Sequence, residues 1–182
     1  MQFNYKQLTD FLVNLGIEKV AHTEKTYLGH LIYVYRLMES EGCTEELCRA
    51  GMFHSIYGTE KFQGFKLPLE RREEVRQLIG ERAEKLAYLN CAMDRPSFDE
   101  AALGNGTTYH FVDRITREPV ELARVDFDDL CRVHLYDWLE QAPRSRYGWE
   151  YRRAGYRRLA ERLHLTASYD RVFGAEPASR AP

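Results

Sequence analysis

In the first third of the chain, apolar residues recur at the three- and four-residue spacing of helices that bury one face. Leu8, Phe11, Leu12 and Leu15 mark such a face over Tyr5 to Leu15, closed by Gly16. A second helix is predicted from about Thr26 to Glu41, with Leu28, Leu31, Ile32, Tyr35, Leu37 and Met38 around His30 and a stop at Gly42. Thr44 reads as the N-cap of a third, whose apolar track runs through Leu47, Ala50 and Gly51 to His54, just before a break at Gly58. Lys61 to Leu69 reads as a loop. Leu69 to Asn90 reads as a charged amphipathic helix, or a pair of helices meeting at Gly80, with Val75, Leu78 and Ile79 on one track and Ala83, Leu86, Ala87 and Leu89 on the next.

The second half is less regular. Pro96 to Gly106 is polar and reads as a loop. Thr107 to Asp113 and Pro119 to Leu122 flank a charged turn and predict a small β-hairpin. Helical spacing returns over Phe127 to Leu139, breaks at Ala142-Pro143-Arg144, and resumes over Tyr147 to Leu163, where Glu150 and Glu161 offset Arg152, Arg153, Arg157 and Arg158. Ser168 to Phe173 adds a short helical turn. The expected architecture is all-α with a hairpin insertion, one domain over 1–174 and a disordered tail over 175–182.

Composition narrows the classes of function. With 26 Lys+Arg against 28 Asp+Glu, the net charge of -2 gives no electrostatic drive toward nucleic acid or an anionic membrane. No apolar run approaches the roughly 20 residues that span a bilayer, and the start carries no secretory pattern, so a soluble, cytoplasmic protein is expected. Cys43, Cys48, Cys91 and Cys131 form no CxxC and are expected to be reduced.

The chemistry centres on His30 and His54. An imidazole on an apolar helical face needs a polar partner, since burying it unpaired costs on the order of 1 to 3 kcal/mol. That partner is either a backbone carbonyl, as for an ordinary core histidine, or a metal ion shared with a second histidine. Ser55, Tyr57 and Glu60 follow His54, and Gly58 lets the chain turn so that their polar ends can face one cavity. Glu60 is the natural general-base candidate. The plainer alternative makes Thr59 the cap of a following turn and Glu60 a surface charge.

An early helical histidine, a second one 24 residues later within Ala50-Gly51-Met52-Phe53-His54, and a late helix bearing polar ligand candidates resemble the HD-domain superfamily. The resemblance is best over Tyr27 to Tyr57 and continues through Ile79 to Leu86 and on to Leu130 to His134. It implies an HD-like helical bundle with metal ligands on successive helices, in a superfamily that includes phosphohydrolases, (p)ppGpp hydrolases and iron oxygenases. Ser55 stands where that family carries the aspartate after histidine, which puts an ordinary dinuclear centre in doubt. In the late helix the alignment places His134, with Asp137 one turn on. The implied site is His30, His54 and His134, with Asp137 as a fourth ligand or as an outer hydrogen-bond acceptor, around a divalent transition metal such as Fe, Mn or Zn. Two classes of function follow: a metal-dependent hydrolase or non-haem iron oxygenase acting on a small molecule, or a non-catalytic binding module on a scaffold that has lost its metal.

Overall fold

A computed structural model describes residues 4–22 and 24–177. The described residues form a mainly helical protein with a small two-stranded hairpin. Helix α1 covers Tyr5–Asn14, with the Asn4 side chain accepting from Lys6 N. Helix α2 covers Tyr27–Ser40 behind the Thr26 cap, and α3 covers Glu45–Phe53 behind the Thr44 cap. The charged segment is a helix pair, α4 at Arg72–Ile79 and α5 at Glu81–Ala92. They meet at Gly80, whose φ of 95° and ψ of 152° suit only a residue without a side chain.

Two segments differ from the sequence reading. Residues 95–102, read as loop, form helix α6 (Arg95–Ala102). The Asp94 carboxylate caps it by accepting from Ser97 N at 3.0 Å, and Pro96 in the first turn already has a helical φ. The helix expected from Tyr147 starts only at α8 (Arg153–Arg162), after a positive φ at Arg152. A two-residue hairpin, β1 (Ala21–His22) with β2 (Lys25–Thr26), precedes α2. The larger hairpin pairs β3 (Thr108–Val112) with β4 (Pro119–Ala123). Its alternation turns Tyr109 and Phe111 inward, where Tyr109 stacks on Phe127 at 4.3 Å. Helix α7 (Arg124–Gln141) follows, and α9 (Thr166–Phe173) packs on α8. Of the segment read as a disordered tail, Glu176 pairs with Arg153 at 2.7 Å, whereas 178–182 lie outside the described residues.

Helices α2, α3, α5 and α7 pack together around the core. From Val133 to Glu140 every residue of α7 is buried, so this helix runs through the middle rather than along a surface. The three cysteines that lie on α3, α5 and α7 are buried, and all four thiols are free. No helix of the described residues is long and apolar enough to cross a membrane.

The α2–α3 contact depends on Gly51. A Cβ there would lie 2.3 Å from Met38 Sδ and 3.4 Å from Val34 Cγ1, and Met38 is fully buried. Gly51→Ala gains helix propensity of up to about 1 kcal/mol but overpacks this seam by about 1 to 3 kcal/mol. The expected result is a urea midpoint below wild type with an unchanged slope; an equal or higher midpoint would show that the seam can yield.

Candidate metal centre

The close α2–α3 packing brings His30 and His54 together. His30 sits in the first turn of α2, and His54 is the residue that closes α3. Their Nε2 atoms are 3.3 Å apart, and Asp137 Oδ1 of α7 lies 3.2 Å from each. All three residues are buried. Two ligand atoms on a tetrahedral ion with bonds of about 2.0 to 2.1 Å are separated by about 3.3 Å. The three atoms therefore have a spacing that fits a transition metal as well as it fits hydrogen bonds among them.

The other nitrogen of each ring is anchored. His54 Nδ1 is 2.7 Å from Gly51 O, and a carbonyl only accepts, so Nδ1 carries the hydrogen. His30 Nδ1 donates in the same way to Glu140 Oε2 at 2.7 Å. Both anchors leave Nε2 as the atom directed at Asp137, the arrangement that outer partners impose on metal-binding histidines. Lys25 and Arg144 hold Glu140, Gln141 Nε2 donates to Asp137 Oδ1 at 2.7 Å, and Asn90 and Cys91 donate to the carbonyl of His54. The His22 ring covers His30, stacked at 4.2 Å with planes 12° apart.

Without a metal the cluster is held by charge. Burial works to lower the pKa of His30, but hydrogen bonds to Asp137 and Glu140 outweigh it and raise the group to about 9. Burial pushes the Asp137 carboxyl up, yet the neighbouring His54 and His30 hold it well below the usual range. The His22 imidazole is pushed down to about 4, first by burial and then by His30.

The remaining sequence candidates are placed differently. His134 is buried, but its Nε2 faces the Arg95 guanidinium at 2.6 Å rather than His30 and His54. Burial first, and then Arg95 and Arg152, keep it far below its ordinary pKa. Its acceptor nitrogen is thus occupied by a cation, and Asp137, expected as a fourth ligand or outer acceptor, supplies the third donor instead. Glu60, the general-base candidate, is exposed beside Lys61 and is not among the residues that line the cavity, while Thr59 Oγ1 accepts from Phe62 N in the following turn. Tyr57 is buried and donates to Glu84 at 2.9 Å, away from the histidines. Ser55 lies in the wall of the adjoining cavity, paired with Tyr27 Oη at 3.0 Å. The sequence reading missed Glu140 and Arg95. Glu140 had a signal, a carboxylate three residues from Asp137 in an otherwise apolar stretch.

The cavity holds about 850 Å³ and opens onto His54, Ser55 and Asp137. Trp138, Tyr151 and Tyr156 form an aromatic wall, with Trp138 and Tyr156 stacked at 5.3 Å. A family model described as a domain of unknown function (DUF6817) matches residues 11–95, a span that holds His30, His54 and Ser55 and ends before Asp137. No curated protein and no solved structure matches the chain.

The raised pKa of His30 has a measurable consequence in metal-free protein. A group that binds its proton more tightly when folded stabilises fully below its unfolded pKa, near 6.5, and loses that contribution as pH rises through the folded value of about 9. Urea unfolding with chelator present should therefore show stability falling from pH 6.5 to 9, and Asp137→Asn should flatten the slope. Stability that stays level or rises in wild type would mean that His30 is neutral.

Proposed function

We propose that the protein is a metal-dependent enzyme acting on a small molecule, built on an HD-like helical scaffold in which His54-Ser55 replaces the histidine–aspartate pair. The observation that carries this reading is the triangle of His30 Nε2, His54 Nε2 and Asp137 Oδ1, with edges of 3.2 to 3.3 Å. Its donors come from an early helix, the end of the next helix and a late helix, the order that the resemblance implies. Ser55 brings no charge, so the set fits one ion rather than two.

Two imidazoles and one carboxylate on one side of a site suit zinc in hydrolases and iron in oxygenases. A bound ion supplies Lewis acidity and open positions for water, oxygen or substrate. The chain supplies the rest. Glu140 and Gly51 O hold the two rings in orientation, and Gln141 holds the carboxylate. Trp138, Tyr151 and Tyr156 make one wall apolar and keep bulk water from that side. Of the carboxylates in the cavity wall, Asp137 belongs to the donor set, which leaves Glu24 as the free base candidate among the described residues.

Metal analysis with an activity screen tests the reading. Purified protein reconstituted with Zn, Mn or Fe(II) should retain about one ion per chain, whereas His54→Ala and Asp137→Ala should bind about 100-fold more weakly. Turnover of phosphoesters without oxygen marks a hydrolase, and oxygen uptake with Fe(II) and a small polyol marks an oxygenase. His134→Gln should leave metal content unchanged. A wild-type protein that retains no ion and turns over nothing would favour the binding module and sink this proposal.

A further inference from the structure

Arg95 is in a position that folding alone does not favour. It is 9% exposed, and among the described residues its guanidinium pairs with no carboxylate. Its hydrogen-bond partner is the ring of His134, which brings no charge, and its Nε, also buried, has no partner. It also occupies the first turn of α6, where the helix dipole disfavours a cation. Burying an unpaired charge costs several kcal/mol, so a site of this kind calls for an anion.

The cavity shows where that anion would sit. Arg95 lines it together with Asp137 and His54, and the His134 ring that it touches belongs to a residue three positions, about 4.5 Å along α7, before Asp137. The wall carries Lys61, Arg95, Arg144 and Arg146 against two carboxylates, Glu24 and Asp137, the latter committed to the metal centre. Glu140 offsets Arg144 and Glu60 lies 3.9 Å from Lys61, which leaves Arg95 without an acidic partner among the described residues. Arg144, which Glu140 engages through one terminal nitrogen, likewise leaves its buried Nε without a partner. An arginine fork offers paired donors to a planar or tetrahedral oxyanion.

We propose that Arg95 anchors an oxyanion of the substrate, a phosphoryl or carboxylate group, in the cavity beside the metal centre. The substrates are then small anionic molecules, and Arg95 selects them without holding the metal. This rests on the reading of the cavity as the reaction site, so the test measures anion and metal binding separately.

Metal-depleted protein is titrated with phenyl phosphate and with benzoate, followed by calorimetry and by the fluorescence of Trp138 in the cavity wall. Wild type should bind at least one of them saturably, and the tighter of the two distinguishes a phosphoryl from a carboxylate ligand. Losing a charge-assisted hydrogen bond costs about 1.5 to 3 kcal/mol, so Arg95→Gln should weaken that binding about 10- to 150-fold. Arg95→Lys should fall between the two. Zinc affinity of Arg95→Gln should stay within about threefold of wild type, because Arg95 is not a metal ligand. The unliganded thermal midpoint of Arg95→Gln should not drop, since an unpaired buried cation has been removed; if this variant does not fold, Arg95→Met carries the same comparison. Anion binding without zinc binding would support the anchor and refute the metal reading. No saturable binding of either anion, or equal binding by wild type and the neutral variant, would overturn the anchor.

Discussion

The constraint on which the rest depends is the meeting of two imidazole nitrogens and one carboxylate oxygen inside a desolvated pocket. An isolated Asp137 carboxylate there would cost several kcal/mol, so the cluster needs a cation at its centre. A proton on His30 fills that need in the metal-free protein, and in the proposed reading a metal ion would fill it through the same lone pairs. Much of the surrounding structure serves this meeting. Gly51 lets α2 and α3 approach, its carbonyl fixes the His54 ring, and Glu140 fixes His30 while Lys25 and Arg144 balance its charge.

The helical half of the fold was legible because its signals are local. Thr26 and Thr44 cap α2 and α3 where the apolar periodicity begins, and the hairpin alternates as its sequence does. His30 and His54 could be paired from their places on those faces. The choice between His134 and Asp137 could not be made in that way. From Val133 to Glu140 the helix is buried all round, so periodicity assigns no inward face, and both residues point to something buried. Arg95 decides the matter by occupying the His134 nitrogen, and it reaches that ring only because residues 95–102 are helix rather than loop. Asp94 followed by Pro96 was the available signal, a cap with proline in the first turn.

Glu60 illustrates the same limit in a turn. Gly58 has a φ of 78° and permits a sharp change of direction, but longer-range contacts set that direction. Leu67 N donates to Ile56 O at 2.8 Å, and Arg114 reaches the Gly58 carbonyl from the hairpin turn, so the segment folds back with Ser55 in the cavity wall and Glu60 outside. The site is consequently richer in cations and aromatic rings than in carboxylates, a balance that a net charge of -2 for the whole chain conceals.

The most direct test of the central claim is an anomalous difference map from crystals of the protein loaded with one equivalent of zinc, recorded at the zinc absorption edge. The account predicts one strong peak about 2.0 to 2.2 Å from His30 Nε2, His54 Nε2 and Asp137 Oδ1. A peak coordinated by His134, or no peak between α2, α3 and α7, would contradict it.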